Sequence, residues 1–255
     1  MRLLIIRHGD PDYEHNALTE RGHREAAALS RYLMTLPIDD CYQSPYGRAQ
    51  QTAEYYLRAS GKTAETLDWL REFPARARYT EATDLQDALT VTKSTSAKGL
   101  SLVYNVQPSY WCRHGEYFDR RAWRNSRIAE VSDVVSCYDT VTEKLDELLK
   151  SYGYEHDGDL FRAVKPNHKV VALFCHFAVE SVMLSHLLGL PPYVLMHGFG
   201  SLPSGVTELV TEERKQGIAI FRMLRYGDLS HLVRENIEPS RSGGFCECFT
   251  DEKRH

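Results

Sequence analysis

Two histidines follow short aliphatic runs of the sequence and could act on one ligand. His8 lies two residues after the run 3–6, and His176 lies two residues after the run 170–174. If both runs are strands of one parallel sheet, the imidazoles meet at the carboxyl edge of the strands, where such sheets bind ligands. Gly9 would let the backbone turn sharply there and lie close to a ligand. The pattern predicts a site built around two imidazoles.

Two arginines could complete this site. Arg7 precedes His8 directly, and Arg48 falls in the first turns of a predicted helix. Guanidinium groups match phosphate oxygens, and their charge would keep a neighbouring imidazole neutral, with a lone pair free to attack phosphorus. The same charges would stabilise the transition state. We therefore expect phosphoryl transfer with His8 as the nucleophile, which also requires a proton donor for the leaving oxygen.

Strands and helices alternate along the chain and would position these side chains. The spacing of Val134, Tyr138 and Val141 is typical of an amphipathic helix, and Ser44 and Pro45 are suited to the cap and first position of another. This alternation predicts an α/β fold of three layers, in which helices lie on both faces of a mainly parallel sheet. The predicted strands cover residues 3–6, 38–43, 170–174, 205–210 and 217–224 (the last two paired), and the predicted helices cover 19–36, the stretch after 44, 134–148 and 178–188.

The stretch 73–128 has no clean period, although it is long and rich in Arg, Tyr and Thr. A compact domain seldom carries such a segment unless it forms a lid or a small subdomain. We predict an inserted cap within one catalytic domain over residues 1–235, followed by a polar and partly mobile tail over 236–255. Tyr110, Trp111 and Trp123 in the cap are expected to form a small satellite core rather than to contact substrate.

The composition limits the classes of partner. The 255 residues are 42% hydrophobic and 26% charged, with 31 basic against 35 acidic side chains and a net charge of −4. This balance and the lack of a Lys/Arg run argue against nucleic acid or an anionic membrane as a partner. Six irregularly spaced cysteines and no apolar run of about 18 residues favour a reduced, cytoplasmic protein. The oligomeric state is left open.

Four motifs, in this order along the chain, resemble those of the histidine phosphatase (phosphoglycerate mutase-like) superfamily. They are Arg7-His8-Gly9 after a strand, the Leu-Thr-Glu-Arg-Gly of residues 18–22 leading into a helix with Glu25 and Ala26, the segment 44–53, and the strand that ends in His176. The tripeptide Arg7-His8-Gly9 alone could occur by chance, whereas four motifs in the same order are specific to the family.

The resemblance implies that His8 becomes phosphorylated and that Arg7, Arg48 and His176 complete the phosphate pocket. No cofactor is expected, because the arginines supply the positive charge that Mg²⁺ supplies elsewhere. A metal ion between the two histidines is disfavoured by the adjacent guanidinium charges and by the lack of a third ligand at a suitable spacing.

The resemblance also implies an acid/base carboxylate after the third strand. Glu72 matches the usual Leu-x-Glu position, and we assign it proton donation to the leaving group and later proton removal from water. Glu81 and Glu116 are the alternatives for this role.

Several positions depart from the family pattern and bear on the substrate. Asp10 and Pro11 follow Gly9 where Glu and Thr or Ser are common, and Phe177 replaces a Gly. Asn16 and Phe177 are expected to contact the substrate, together with the two arginines. His197, next to Gly198, could reach the mouth of the site.

Three functions fit these residues. The first is hydrolysis of a small phosphorylated metabolite through a phosphohistidine on His8. The second is a mutase reaction of the phosphoglycerate type, although the usual mutase segments after Arg7-His8-Gly9 are missing. The third is a non-catalytic phospho-ligand binder, which is disfavoured because every expected chemical position is filled.

Overall fold

An eight-stranded sheet forms the centre of the chain. The computed structural model describes residues 1–78, 83–85, 88 and 99–242. The strands of the described residues are β1 (Arg2–Arg7), β2 (Pro11–Asp12), β3 (Ala17–Leu18), β4 (Asp40–Gln43), β5 (Ala64–Thr66), β6 (Arg76–Arg78), β7 (Leu100–Leu102), β8 (Tyr154–Asp157), β9 (Leu160–Ala163), β10 (Val170–Cys175), β11 (Val206–Lys215) and β12 (Ile218–Asp228). The pairs β2–β3 and β6–β7 form separate two-stranded sheets, and the other eight strands form the central sheet.

Helices connect several of these strands. They are α1 (Glu20–Leu33), α2 (Gly47–Ser60), α3 (Pro108–Trp111), α4 (Arg127–Glu130), α5 (Val134–Ser151), α6 (Phe177–Leu188), α7 (Pro192–Gly198) and α8 (Ser230–Arg234), with short 3₁₀ helices at Asp68–Leu70, Thr83–Leu85, Val103–Asn105, Gly115–Phe118 and Ala122–Asn125. In the described part of the chain, no helix has both the length and the hydrophobicity to cross a membrane.

The sheet has a parallel half and an antiparallel half. Its order is β5-β4-β10-β1-β11-β12-β9-β8, and the pairs from β5 to β1 are parallel while those from β1 to β8 are antiparallel. The predicted α/β class and the pairing of the two late strands are confirmed. The β8–β9 hairpin was not predicted, because its four-residue strands alternate polar and apolar residues too briefly to stand out.

Helices cover both faces of the sheet, as predicted. Along β1, Leu3 and Ile5 face one hydrophobic cluster, which includes residues of α5 and α6. Leu4 and Ile6 face the other cluster, which includes residues of α1 and α2. A strand that is buried on both faces reads as a continuous aliphatic run, and for this reason β1 and β10 were visible in the sequence.

The two N-terminal helices begin and end differently from the prediction. Thr19 is the cap of α1 and its hydroxyl accepts from the amide of Gly22, but the helix ends at Leu33 rather than at residue 36. The prediction that Ser44 caps α2 is wrong, because α2 begins at Gly47 after Tyr46. The hydroxyl of Ser44 lies instead against a histidine, as described below.

The segment 73–128 contains only short elements in its described residues, with β6 and β7 paired. The expected satellite core is not separate. Trp111, Tyr117 and Trp123 are buried and belong to the same hydrophobic cluster as α5, α6 and one face of the sheet. The extent of the cap and the domain boundary at residue 235 stay predictions.

Part of the predicted tail lies against the carboxyl edge of the sheet. Ser240 is buried, and its amide donates to Oε1 of Glu25 over 3.1 Å while its hydroxyl contacts Oδ1 of Asp10. Residues 243–255, with Cys246 and Cys248, lie outside the described residues, and so does Glu81.

Candidate active site

The two histidines meet at the carboxyl edge of the parallel strands. β1 and β10 are neighbours whose register pairs Arg7 with Cys175, so that His8 and His176 each follow the last paired residue. Both side chains are buried, and their ring centroids lie 5.0 Å apart with an angle of 60° between the planes. The predicted convergence of the two imidazoles is therefore present in the structure.

The guanidinium group of Arg7 is buried at this edge. Nη1 donates to the carbonyl of Ser201, and Nη2 donates to the carbonyl of Ser242 over 3.1 Å. Nε is buried and has no hydrogen-bond partner among the described residues. The carbon Cζ lies 5.7 Å from the ring centroid of Phe177, so the predicted substrate-binding Phe177 contacts an arginine of the site.

Arg48 enters the site from the first turn of α2. Its Nη1 donates to Oδ1 of Asn16 over 2.9 Å, and its Cζ lies 4.9 Å from the ring centroid of Tyr46 and 5.4 Å from that of Tyr13. Its Nε is buried, and no residue in the described part of the chain forms a hydrogen bond with it. Asn16, which we predicted to contact substrate, thus orients an arginine in this structure.

The contact between Asn16 and Arg48 depends on a tight crossing of two backbone segments. Asn16 has a φ of 51°, a left-handed conformation that asparagine tolerates better than most residues. A Cβ on Gly47 would lie 2.4 Å from the carbonyl oxygen of Asn16. Only glycine fits there, and the loop can therefore approach the first turn of α2.

The environment of His8 fixes both its tautomer and its charge. Nδ1 lies 2.7 Å from the carbonyl oxygen of Gly9, and because a carbonyl only accepts, Nδ1 carries the proton and Nε2 keeps a lone pair. Burial lowers the pKa of His8 well below its usual value, and the charges of Arg7 and Arg48 lower it further. The imidazole is neutral at physiological pH.

His176 presents one nitrogen to a hydroxyl and leaves the other without a partner. Nε2 lies 2.8 Å from Oγ of Ser44, whereas Nδ1 is buried and has no hydrogen-bond partner within the described ranges of the chain. Burial lowers the pKa of His176 well below its usual value, with further contributions from His8, Arg48 and Arg7. A buried nitrogen without a partner is costly, and a ligand that accepts from it would remove that cost.

Glu72 lies beside the start of α6. Its Oε1 accepts from the amides of Phe73 (3.1 Å) and Ala178 (3.0 Å), whereas its Oε2 makes no hydrogen bond to any described residue. Burial raises the pKa of Glu72, although Arg7, the two amides and Arg48 oppose this effect. A raised pKa favours the protonated acid, as a proton donor requires.

The alternatives to Glu72 lie elsewhere or outside the described residues. Glu116 is in a 3₁₀ helix and its carboxylate lies 3.6 Å from the imidazole of His114. The ring of His197 is half-buried and packs on that of Trp111, with ring centroids 5.2 Å apart, and burial lowers its pKa to about 4. Its expected place at the mouth of the site stays a prediction.

Three side chains of the site were missed in the sequence. Ser44 contacts His176, and Thr52 accepts from the amide of Gly9 over 3.0 Å and donates to the carbonyl of Arg48 over 2.7 Å. Thr52 lies one helical turn after Arg48, a spacing that could have indicated its role. Tyr104 interacts electrostatically with Glu72, which contributes to the raised pKa of the phenol. It lies in the segment without a period, where no sequence signal marked it.

Comparisons with known proteins agree with this geometry. A sequence model of the histidine phosphatase superfamily (branch 1) matches residues 3–87, which include three of the four motifs. No curated protein sequence matches the chain.

Solved phosphatases share the fold at low sequence identity. A mutant phosphoserine phosphatase from Entamoeba histolytica, in complex with phosphoserine, is 16% identical, with a TM-score of 0.54 over 91% of this chain and 98% of that one. A mycobacterial glucosyl-3-phosphoglycerate phosphatase with inorganic phosphate is 18% identical, with a TM-score of 0.54 over 90% and 98%. The α-ribazole phosphatase of Shigella flexneri is 17% identical, with a TM-score of 0.53 over 90% and 97%. The chain is therefore similar to the histidine phosphatase superfamily in the sequence of residues 3–87, and it shares its fold with solved phosphatases.

Proposed function

We propose that the protein hydrolyses small phosphomonoesters through a phosphohistidine on His8. The observation that carries this proposal is a set of buried nitrogen atoms near His8 that have no hydrogen-bond partner among the described residues. They are Nε of Arg7, Nε of Arg48 and Nδ1 of His176. A phosphoryl group bound there would accept from the two guanidinium nitrogens, and from Nδ1 of His176 in the tautomer whose Nε2 accepts from the hydroxyl of Ser44. Its negative charge would lie between the two guanidinium groups.

In the first half-reaction the lone pair on Nε2 of His8 attacks phosphorus. The bond between phosphorus and the ester oxygen breaks, and the leaving oxygen takes the proton of Glu72. Oε2 of Glu72 is the atom that can carry this proton, because Oε1 already accepts from two amides. Arg7 and Arg48 stabilise the charge on the equatorial phosphate oxygens.

In the second half-reaction a water molecule attacks the phosphohistidine. Glu72, now a carboxylate, takes a proton from this water, the bond between nitrogen and phosphorus breaks, and inorganic phosphate leaves. The side chains of His8 and Glu72 return to their starting protonation states. The hydrogen bond from Nδ1 of His8 to the carbonyl of Gly9 holds the ring in place during both steps.

The mouth of the site supports a small substrate with an aromatic or polar body. Tyr13 and Tyr46 flank Arg48, and Tyr104 interacts with Glu72. The structural relatives include phosphatases named for phosphoserine and for glucosyl-3-phosphoglycerate, which are small phosphorylated compounds. We also propose that the enzyme is cytoplasmic. The four described cysteines are free thiols, which suits a reducing compartment.

A panel of phosphomonoesters tests the proposed function. We expect release of inorganic phosphate from at least one member of a set that includes phosphoserine, 3-phosphoglycerate, glucosyl-3-phosphoglycerate and an aryl phosphate. Activity should persist in EDTA, because two guanidinium groups supply the positive charge. The same incubations, analysed for conversion of 3-phosphoglycerate to 2-phosphoglycerate, measure the mutase reaction.

The ratio of the two rates separates the candidates. Faster isomerisation than phosphate release would make the protein a mutase. If no ester is hydrolysed or isomerised while phosphorylated compounds still bind, the chain is a binder and the proposal is wrong.

Replacing Glu72 with glutamine should slow alkyl phosphates far more than aryl phosphates. A phenolate leaves without help, whereas an alkoxide needs a proton, and general acids contribute about 10²–10⁴-fold. Because Glu72 must be protonated and its pKa is raised, wild-type kcat/KM for alkyl esters should fall as pH rises through that pKa. The glutamine variant should lose this basic limb. Steady-state rates with both ester classes from pH 5 to 9 measure the effect.

Glu116→Gln is the matched control, because Glu116 is the alternative that lies among the described residues, where it pairs with His114. It should leave both ester classes and the pH profile unchanged. An equal loss for alkyl and aryl esters in Glu72→Gln, or a selective loss in Glu116→Gln, would refute the assignment.

A further inference from the structure

Three side chains that bind metals in proteins converge at the far end of α6. Asp146 is on α5, His156 is on β8 and His186 is in the last turn of α6. His186 lies nine residues after Phe177, about 14 Å along the helix axis at 1.5 Å per residue. The cluster is therefore separate from the candidate active site, which contacts the first turn of the same helix.

Both imidazoles point a nitrogen at the same carboxylate. Nδ1 of His156 lies 3.0 Å from Oδ2 of Asp146, and Nε2 of His186 lies 2.8 Å from Oδ1. The two rings pack edge to face with centroids 4.5 Å apart. One ligand atom from each residue lies within 4.8 Å of the others, and no other such trio occurs among the described residues.

We propose that Asp146, His156 and His186 bind a zinc ion. Two imidazoles and one carboxylate are a common donor set for zinc, with bond lengths of about 2.0–2.2 Å. Ligand atoms around a tetrahedral ion then lie about 3.3 Å apart. The ligand atoms of this trio lie within 4.8 Å of one another, and the two imidazoles face different oxygens of Asp146, so small side-chain rotations that draw the trio together would complete the site. Each coordinating nitrogen would bind through its lone pair, with the ring proton on the other nitrogen.

The surroundings allow an ion to enter and compensate its charge. A cavity of about 490 Å³ is lined by the three ligands and by Glu143, and it gives the fourth coordination position access to water. Arginines also line this cavity, but they form ion pairs with carboxylates. Asp159 pairs with Arg120 and Arg121, over 2.7 and 3.2 Å.

Zinc bound there would fix the edge of the sheet. His156 belongs to the β8–β9 hairpin, which is the outermost part of the antiparallel half, and the other two ligands belong to helices that pack on one face. The ion would tie hairpin and helices together, and its binding free energy would add to the stability of the fold. It has no part in the chemistry proposed for His8.

Cobalt and zinc titrations of the metal-stripped full chain test this site. We expect one equivalent of Co²⁺ to bind with the visible absorption of four-coordinate cobalt and Zn²⁺ to displace it. At a Zn²⁺ concentration 100 times Kd, Tm should rise by about 5 °C. His156→Gln and Asp146→Asn should each weaken Co²⁺ binding at least about tenfold while leaving phosphatase activity in EDTA unchanged.

Two controls locate the ion. His114→Gln removes an imidazole that faces a single carboxylate, that of Glu116, outside the trio. His8→Ala removes an imidazole from the candidate active site. Both should bind Co²⁺ as the wild type does. The proposal is overturned if the wild type takes up neither metal, if His156→Gln binds with unchanged affinity, or if His8→Ala loses the absorption band. The Co²⁺-binding and Tm readouts do not depend on turnover, so they are independent of the proposed function.

Discussion

His8→Ala should abolish the phosphoenzyme and lower kcat by at least about 10⁴-fold, because removal of a nucleophile leaves only binding and electrostatic stabilisation. Nε2 of His8 is the nucleophilic nitrogen, since its Nδ1 faces the carbonyl of Gly9. Brief exposure to a ³²P-labelled substrate followed by rapid quenching should label the wild type. The label should survive alkali and be lost in acid, as a phosphorus–nitrogen bond is.

His168→Ala is the control, because His168 is an exposed histidine outside the site. It should be labelled and should turn over like the wild type. The backbone hydrogen bonds of residue 8, to Cys175 and from Ser204, do not involve the imidazole, so His8→Ala should keep the fold. Circular dichroism checks this point. A label that persists in His8→Ala, or one that resists acid, would show that another residue is the nucleophile.

The sequence predicted the part of the site that depends on local patterns. β1 and β10 are short aliphatic runs because they are buried on both faces, and a histidine follows each run. The first turn of α2 then brings Arg48 to the edge that these strands share. These features need only strand burial and the rule that parallel strands bind ligands at their carboxyl ends.

Contacts between segments that are distant along the chain could not be predicted from the sequence. The hydroxyl of Ser44 faces His176, 132 residues later, and so the predicted helix cap is not formed. The carbonyl of Ser242 accepts from Arg7, 235 residues earlier, although the tail was expected to be polar and partly mobile. A polar side chain such as a serine can form a hydrogen bond with a local backbone group or with a distant residue, and the local sequence does not show which partner it takes.

The electrostatics were predicted with the correct sign but with an incomplete cause. Guanidinium charge alone was expected to keep His8 neutral. In the structure burial is the largest cause of its lowered pKa, and Arg7 and Arg48 follow. Burial depends on the packing of β1 against β10 and β11, which no residue near His8 in the sequence determines.

Arg48→Ala should lower kcat/KM by about 10²–10³-fold, by comparison with the loss of one transition-state donor elsewhere. Two effects act together. The phosphoryl group loses a charged donor, and the pKa of His8 rises because one of the positive charges that lowers it is gone. Because His8 must be neutral to attack, the acidic limb of the pH profile should move to higher pH. Steady-state rates from pH 4 to 8 measure both changes.

Arg58→Ala controls for a lost arginine on the same helix, because the side chain of Arg58 is 79% exposed and pairs with the neighbouring surface residue Glu54. It should change neither the rate nor the pH profile. Arg48→Lys should recover part of the rate and restore the acidic limb, since it keeps the charge but not the planar donor group. If Arg48→Ala loses rate without a shift of the acidic limb, Arg48 holds the phosphate but does not set the charge of His8. Equal losses in Arg48→Ala and Arg58→Ala would mean that α2 is destabilised and that the phosphate pocket is wrongly assigned.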